Sequence, residues 1–205
     1  MRGETLDPQM LLVAYCNGLF PMSPSRDSDE IRWYAPDPRT ILAFESYRPS
    51  RRLRRLLRET PLEVRLDADF RATMEACAAP RERRGDDAAT EEDAAGEETW
   101  ISPSLIEAYV SLHEAGFAHS VEAFLDGSRV GGLYLVRVGA AVMGESMFSR
   151  VENASKVCLL HLIHRLQLLK FRLLDVQFMT EHLRRFGAIE IARADYERRL
   201  QAALA

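Results

Sequence analysis

Three polar side chains interrupt two apolar segments that the sequence predicts to be β-strands. Glu145 lies in AAVMGESMF, and Asp175 and Gln177 lie in LLDVQFM. Side chains alternate between the two faces of a strand, so Asp175 and Gln177 are expected to share one face, and Glu145 to share one with Met147. A buried carboxylate costs several kcal/mol unless it is paired, hydrogen-bonded or protonated. These groups therefore need either a partner or a chemical role.

Residue type alone leaves two explanations open. In the first, Glu145 pairs with an arginine and Asp175 caps a turn or binds backbone. In the second, the polar groups belong to a reactive site. Their positions favour the second explanation, because they stand near strand ends, beside the loops SRVENASK and TEHLRRFG. A cleft next to a sheet usually opens at such a place.

The surrounding elements predict an α+β fold. A short helix ends near Gly18, and Ser102 and Pro103 begin a longer helix that ends at Gly116. Three strands follow in HSVEAFL, RVGGLYLVRV and AAVMGESMF. A buried helix over residues 154–170, a strand in RLLDVQFM, and a strand passing into a terminal helix in GAIEIARADYERRL complete the chain. This order resembles the GNAT acyltransferase fold.

Length and composition describe a globular protein. The 205 residues, 47% of them hydrophobic, suffice for a sizeable core. No apolar run approaches the roughly 18 residues of a membrane span, and MRGETLDPQM lacks the apolar core of a secretory signal. We therefore expect a cytoplasmic protein with no membrane partner. Cys158, His161 and His164 recur at helical spacing, but their apolar setting favours packing, so we expect no metal.

Charge is distributed unevenly along the chain. Residues 85–98 carry seven acids and no base, so their removal changes the net charge from −4 to +3. This acidic segment is predicted to be a disordered surface loop. Upstream of it, RPSRRLRRLLRETP predicts an amphipathic helix whose basic face includes Arg51, Arg52, Arg54 and Arg55. Taken alone, such a face is more often solvated than bound to phosphate.

The loop before the buried helix argues against one common acyl donor. A coenzyme A enzyme of this fold would hold the pyrophosphate in a glycine-bearing loop, because backbone N–H groups must approach the phosphates closely. The corresponding junction here, SRVENASK, contains no glycine. We therefore expect neither an ordinary acyl-coenzyme A donor nor another cofactor.

Several longer strings resemble one family. They are YCNGLFPM, WYAPDPR, TWISPSLIEAYVSLHEAGFAHSVEAF, GGLYL, GESMFSRVENASK and LLDVQFMTEHLRRFGA, and in this order they look like leucyl/phenylalanyl-tRNA–protein transferase. The resemblance implies a cytoplasmic aminoacyltransferase that moves leucine or phenylalanine from aminoacyl-tRNA to the N-terminal arginine or lysine of proteins, marking them for N-degron proteolysis. It also implies a small, shortened N-terminal lobe over residues 1–38 and a GNAT-like catalytic domain over residues 39–205.

The resemblance assigns roles to the polar strand residues. Asp175 and Gln177 would orient and activate the acceptor amine, and Glu145 would help to fix the reacting amino group. The acceptor amine must be neutral and close to the ester carbonyl when it attacks. Since an amide is not a strong base, Gln177 is expected to orient and relay.

The resemblance also implies two substrate-binding surfaces. An apolar pocket for the leucine or phenylalanine side chain would be formed by Leu133, Met147, Leu162 and Leu174, and methionine is a plausible third donor. For the tRNA, Trp100 would stack on the terminal adenosine. The four arginines Arg51, Arg52, Arg54 and Arg55 would contact backbone phosphates.

Two alternatives remain open. One is a related aminoacyltransferase that accepts acidic N-termini, and the other is an inactive relative that binds tRNA. The chain also departs from some members at Met22, where they carry a tryptophan, which weakens a stacking role at that position.

Overall fold

The computed structural model describes residues 6–44, 47–79 and 99–205. The acidic segment at residues 85–98 lies outside the described residues, so its predicted disorder stays a prediction. Within the described part, none of the helices is both long and apolar enough to cross a membrane.

The described residues form both helices and strands along the chain. The first part contains α1 (Pro8–Cys16), β1 (Phe20–Met22), β2 (Arg32–Tyr34), β3 (Arg39–Leu42), α2 (Arg51–Glu59), β4 (Glu63–Leu66) and α3 (Phe70–Ala78). The second part contains α4 (Pro103–Glu114), β5 (Ala118–Leu125), β6 (Ser128–Val138), β7 (Ala141–Ser149), α5 (Ala154–Leu168), β8 (Leu173–Gln177), α6 (Glu181–Arg185), β9 (Ala188–Ile191) and α7 (Arg193–Leu204).

A seven-stranded sheet of order β4-β5-β6-β7-β8-β3-β9 forms the centre of the fold, and β1 and β2 form a separate two-stranded sheet. Every pairing in the large sheet is antiparallel except that of β7 with β8, which α5 connects as a crossover helix. A parallel pair requires such a crossover. The predicted α+β class is confirmed, together with the order of meander, buried helix and strand on which the GNAT-like prediction rests.

The sheet separates two hydrophobic cores. The α4-side core contains residues of α1, α3, α4 and α7, among them Tyr109 and Leu200. The α5-side core contains most of α5, with residues of α2 packed at its margin. Burial of α5 is confirmed, because eight of its side chains are buried, while His161 and His164 lie on an exposed stripe.

The sequence patterns missed β4 and α3. Strand β4 is the edge strand and alternates poorly, since only Val64 of its four residues is even half-buried. Helix α3 begins at Asp69, whose side chain accepts a hydrogen bond from the N–H of Ala72 at 3.0 Å. That cap stands next to a buried acid, Glu122, which accepts hydrogen bonds from Ser120 Oγ at 2.7 Å and from the Asp69 N–H at 3.2 Å.

Candidate active site

Strands β7 and β8, which pair in parallel, separate near Glu145 and Gln177. Their ladder joins Ala141, Val142 and Met143 to Leu173, Leu174 and Asp175, and within the described chain no ladder pair continues it. Glu145 and Gln177 lie just past this point. The Gln177 Nε2 donates to Glu145 Oε1 at 3.5 Å across the gap. We call this place the β7/β8 split.

A β-bulge places Glu145 on the α4 side of the sheet. Tyr134 pairs with Ser146 and Leu135 with Gly144, so Glu145 is the extra residue of β7. A bulge of this kind shifts the alternation of side chains by one position. The prediction that Glu145 and Met147 share a face is therefore wrong: Met147 packs against the α5-side core, whereas Glu145 accepts a hydrogen bond from Tyr109 of the α4-side core.

Asp175 is enclosed by hydrogen-bond donors. It is 0% exposed, and Arg39, at 1%, binds it with both arms of the guanidinium: Nε to Oδ1 at 2.9 Å and Nη2 to Oδ2 at 2.5 Å. Tyr196 donates to Oδ2 at 2.9 Å, and the N–H of Gln177 donates to Oδ1 at 3.0 Å. Both carboxylate oxygens are thus satisfied inside the protein.

Arg39 is likewise surrounded by contacts within the protein. Its guanidinium lies over the rings of Phe20 and Tyr196, 4.8 and 4.5 Å from their centroids, and Nη1 donates to the carbonyl of Gly18 at 3.1 Å. Burial acts to lower the pKa of Arg39, but the hydrogen bonds and charge of Asp175 outweigh it and raise that pKa. Sequence reasoning missed Arg39: the arginine pairing left open in the first explanation was with Glu145, not with Asp175. A charged residue at the start of the apolar run RTIL was the available signal.

Gln177 has a strained backbone. Its φ is 58°, in the left-handed region that a non-glycine residue enters at a cost of about 1–2 kcal/mol. The hydrogen bond from its N–H to Asp175 helps to hold this conformation. The shared side predicted for Asp175 and Gln177 is confirmed, because the Gln177 amide reaches Glu145 on the α4 side. Backbone strain of this kind is typical of a functional site.

The surroundings of Glu145 raise its pKa. Although part of the residue is exposed, its carboxyl group is surrounded by Tyr15, Tyr109 and Gln177. Burial raises the pKa of Glu145 to about 8; the charge of Asp175 adds to this effect, and hydrogen bonds from the two tyrosines oppose it. Burial likewise raises the pKa of Tyr15 and Tyr109, whose hydroxyls hydrogen-bond each other, so both remain neutral donors.

The four predicted pocket residues lie on the opposite side of the sheet. Leu133, Leu162 and Leu174 are 2%, 5% and 1% exposed, Met147 is half-buried, and all four belong to or pack against the α5-side core. These four residues lie together, but the sheet separates them from Glu145, Asp175 and Gln177. Leu174 and Asp175 are consecutive in β8 and therefore point to opposite sides of the sheet.

The residues predicted to contact tRNA lie in two separate parts of the structure. Arg51, Arg52, Arg54 and Arg55 are exposed on α2, and Arg55 forms an ion pair with Glu59. Trp100 is half-buried against the α4-side core, and its carbonyl accepts the N–H of Ser23 at 3.1 Å, next to the end of β1. The structure therefore brings Trp100 to the small N-terminal lobe and does not bring it to α2.

One group among the described residues has metal-binding composition. Asp67, His113 and His119 each offer a ligand atom within 4.8 Å of the others. Protein contacts already explain it: His119 Nδ1 bonds Asp67 at 2.8 Å and His113 Nδ1 bonds the carbonyl of Ala118 at 2.9 Å. Burial opposes ionisation of Asp67, but the hydrogen bonds from His119 and the Ser120 N–H prevail and lower its pKa. The group links the residue that follows β4 to α4 and β5.

Removal of Asp175 is expected to destabilise the fold strongly. Asp175→Ala leaves the Arg39 guanidinium buried without its counter-charge, which costs about 3–5 kcal/mol. Urea denaturation measures the loss, and Glu197→Ala, which breaks the exposed Arg193–Glu197 pair, should change the free energy of unfolding by less than about 1 kcal/mol. Arg39→Met/Asp175→Leu should recover much of the loss. If Asp175→Ala fell within 1 kcal/mol of wild type, the pair would not hold the site together.

The raised pKa of Glu145 predicts a pH dependence of stability. Between the ordinary value of 4.5 and the folded value of about 8, the folded protein keeps a proton that the unfolded chain releases. The free energy of unfolding contributed by Glu145 therefore falls as pH rises through this window. Urea denaturation from pH 5 to 9 should show this fall in wild type and lose it in Glu145→Gln. An equal pH dependence in both proteins would contradict the assignment.

The sequence matches two family models over most of its length. The family model described as "Leucyl/phenylalanyl-tRNA protein transferase" matches residues 41–201, and the model of that family's N-terminal domain matches residues 4–37. The leucyl/phenylalanyl-tRNA–protein transferase of Zymomonas mobilis subsp. mobilis is 47% identical over 97% of this chain and 70% of its own length. That of Paramagnetospirillum magneticum is 48% identical over 100% of this chain and 91% of its own length.

One solved structure that matches part of this chain is the PaiA N-acetyltransferase of Thermoplasma acidophilum in complex with coenzyme A. It is 14% identical, covers 55% of this chain and 76% of its own, and has a TM-score of 0.38. Sequence similarity to the curated relatives is far more extensive. On that similarity, the chain belongs to the leucyl/phenylalanyl-tRNA–protein transferase family.

Proposed function

We propose that this protein transfers leucine or phenylalanine, with methionine as a third donor, from aminoacyl-tRNA to the N-terminal arginine or lysine of proteins, which marks them for N-degron proteolysis. The observation that supports this most is the meeting of Glu145 and Gln177 at the β7/β8 split in a chain of this family. A cleft with a carboxyl group and an amide suits aminolysis of an ester.

The reaction requires one bond to form and one to break. The nitrogen of the acceptor amine attacks the ester carbonyl, a C–N bond forms, and the C–O bond to the ribose breaks. One proton leaves the amine and one arrives at the ribose hydroxyl. Since the tRNA ester is already activated, positioning of the amine against the carbonyl supplies much of the rate.

Glu145 and Gln177 have different roles toward the proton that leaves the acceptor amine. The Gln177 amide donates to Glu145 through Nε2, which leaves its carbonyl oxygen free to accept from the incoming amine. Glu145, with a pKa of about 8, exists in both protonation states near neutral pH and can take up and return a proton. A general acid or base works best when its pKa is close to the working pH.

Asp175 acts through Gln177 and not on the substrate. Its oxygens are occupied by Arg39, Tyr196 and the Gln177 N–H, and it has no exposed surface. We therefore assign it as a positioning residue that maintains the left-handed backbone of Gln177. The role inferred for it by resemblance becomes an indirect one.

Selection of the donor side chain would take place on the α5 side of the split. Leu133, Met147, Leu162 and Leu174 belong to or pack against the α5-side core, and we propose that the apolar side chain of the donor packs against them. Met147 is the half-buried member and its unbranched chain adapts to different shapes. Such a pocket excludes charged side chains and discriminates poorly among leucine, phenylalanine and methionine.

A transfer assay tests the proposed reaction. The protein is incubated with tRNA charged with radiolabelled leucine and with two peptides that differ only in beginning with arginine or aspartate. We expect label on the arginine peptide and none on the aspartate peptide. Transfer to aspartate would instead identify an enzyme for acidic N-termini, and tRNA binding without transfer to either peptide would identify an inactive relative.

A further inference from the structure

Phe178 is an exposed aromatic residue next to the amide proposed to orient the acceptor. It follows Gln177 at the end of β8, and 46% of its surface is exposed. A single exposed apolar side chain is ordinary on a protein surface. Phe178 differs from such a residue in its position, because a substrate group that meets the Gln177 amide lies within reach of the neighbouring ring.

A turn at Gln177 brings these two side chains to the same side of the sheet. In a regular strand, consecutive side chains point to opposite faces. Here the φ of Gln177 is 58°, and the N–H of Phe178 donates to the carbonyl of Val176 at 2.7 Å, which closes a γ-turn around Gln177. The Gln177 amide reaches Glu145, and the Phe178 ring packs against Phe20 of the α4-side core. The strained backbone of Gln177 thus places an aromatic ring beside the amide.

The ring of Phe178 has one surface against the protein and another toward solvent. It meets Phe20 edge to face, at 81° and 5.7 Å between centroids, and Phe20 in turn stacks on Tyr34 at 5.9 Å. Arg39 lies over Phe20, so one ring of this cluster already binds a guanidinium. Within residues 6–44, 47–79 and 99–205, no arginine or lysine lies over the Phe178 ring. Its exposed surface is therefore open to a cation from another molecule.

We propose that the Phe178 ring binds the cationic side chain of the acceptor's N-terminal arginine or lysine through a cation–π contact. The inference rests on the proposed transferase function, in which the acceptor amine meets the carbonyl oxygen of Gln177. That amine and the acceptor side chain leave the same Cα atom, and the Cα atoms of Gln177 and Phe178 are about 3.8 Å apart. A long side chain whose amine lies at Gln177 therefore extends across the neighbouring ring.

The chemistry of the ring matches this occupant. The face of an aromatic ring carries negative charge, which attracts a guanidinium or ammonium and repels a carboxylate. The same contact therefore serves arginine and lysine and disfavours an acidic N-terminus. The apolar side chain of the donor is assigned to the opposite side of the sheet, against the α5-side core. A base at the end of the tRNA also stacks on aromatic rings, and the experiment below distinguishes it from the acceptor side chain.

Steady-state transfer to peptides that begin with arginine or with citrulline tests this contact. Citrulline replaces the guanidinium by a neutral ureido group of nearly the same shape. For Phe178→Leu we expect kcat/KM for the arginine peptide to fall by about 2- to 5-fold, the effect of one exposed cation–π contact, and that for the citrulline peptide to stay near the wild-type value. Phe178→Tyr keeps an aromatic face and should keep the wild-type preference for arginine.

Phe117→Leu is the matched control. Phe117 is 39% exposed and lies in the turn between α4 and β5, so the same change there should leave kcat/KM for both peptides unchanged. Because the preference for arginine over citrulline is a ratio within one variant, it does not depend on the folded fraction of that variant.

The outcomes separate this contact from the proposed reaction. If wild type transfers leucine and Phe178→Leu keeps the wild-type preference for arginine over citrulline, the ring does not bind the acceptor side chain. An equal fall for both peptides would assign the ring to support of the turn at Gln177. A higher KM for leucyl-tRNA with an unchanged preference would assign it to the terminal base, and either result overturns the inference. If wild type transfers leucine to neither peptide, the proposed function fails as well.

Discussion

The ion pair of Arg39 and Asp175 connects the parts of this fold that must meet for a site to exist. Arg39 belongs to β3 and Asp175 to β8, and the same pair contacts Phe20 of β1, the carbonyl of Gly18 after α1, and Tyr196 of α7. A buried ion pair stabilises a protein only when its geometry and remaining hydrogen bonds compensate for lost hydration. Here the polar atoms of the Arg39 and Asp175 side chains are hydrogen-bonded within the protein. The lobe at the N-terminus and the helix at the C-terminus are therefore joined at the central strands.

Hydrogen bonds connect that ion pair to the polar side chains at the β7/β8 split. Asp175 holds the N–H of Gln177 in a strained conformation, and the Gln177 amide reaches Glu145. The tyrosines around Glu145 are neutral donors that support a carboxyl group without a full counter-charge. One acid thus pairs with a buried arginine and serves structure, while burial raises the pKa of the other to about 8, which suits proton transfer. Two carboxyl groups on neighbouring strands differ in role because their surroundings differ.

Much of this arrangement was predictable from local patterns, and the rest depended on contacts that local patterns do not contain. Alternation along LLDVQFM correctly placed Asp175 and Gln177 on one side, and the apolar helix at residues 154–170 was correctly predicted to be buried. The partner of Asp175 was missed because Arg39 is 136 positions away in the chain. The side of Glu145 was wrong because a bulge opposite Tyr134 and Leu135 shifts the alternation. Strand β4 was missed because an edge strand needs little apolar surface.

We propose that transfer takes place at the β7/β8 split and requires the amide of Gln177 to orient the acceptor amine. The most direct measurement is the single-turnover rate of leucine transfer from saturating leucyl-tRNA to an arginine peptide by Gln177→Ala, beside Gln201→Ala as an exposed glutamine on α7. We expect a rate lower by about 10²-fold or more for Gln177→Ala, with unchanged tRNA affinity, and a wild-type rate for Gln201→Ala. A wild-type rate for folded Gln177→Ala would contradict it.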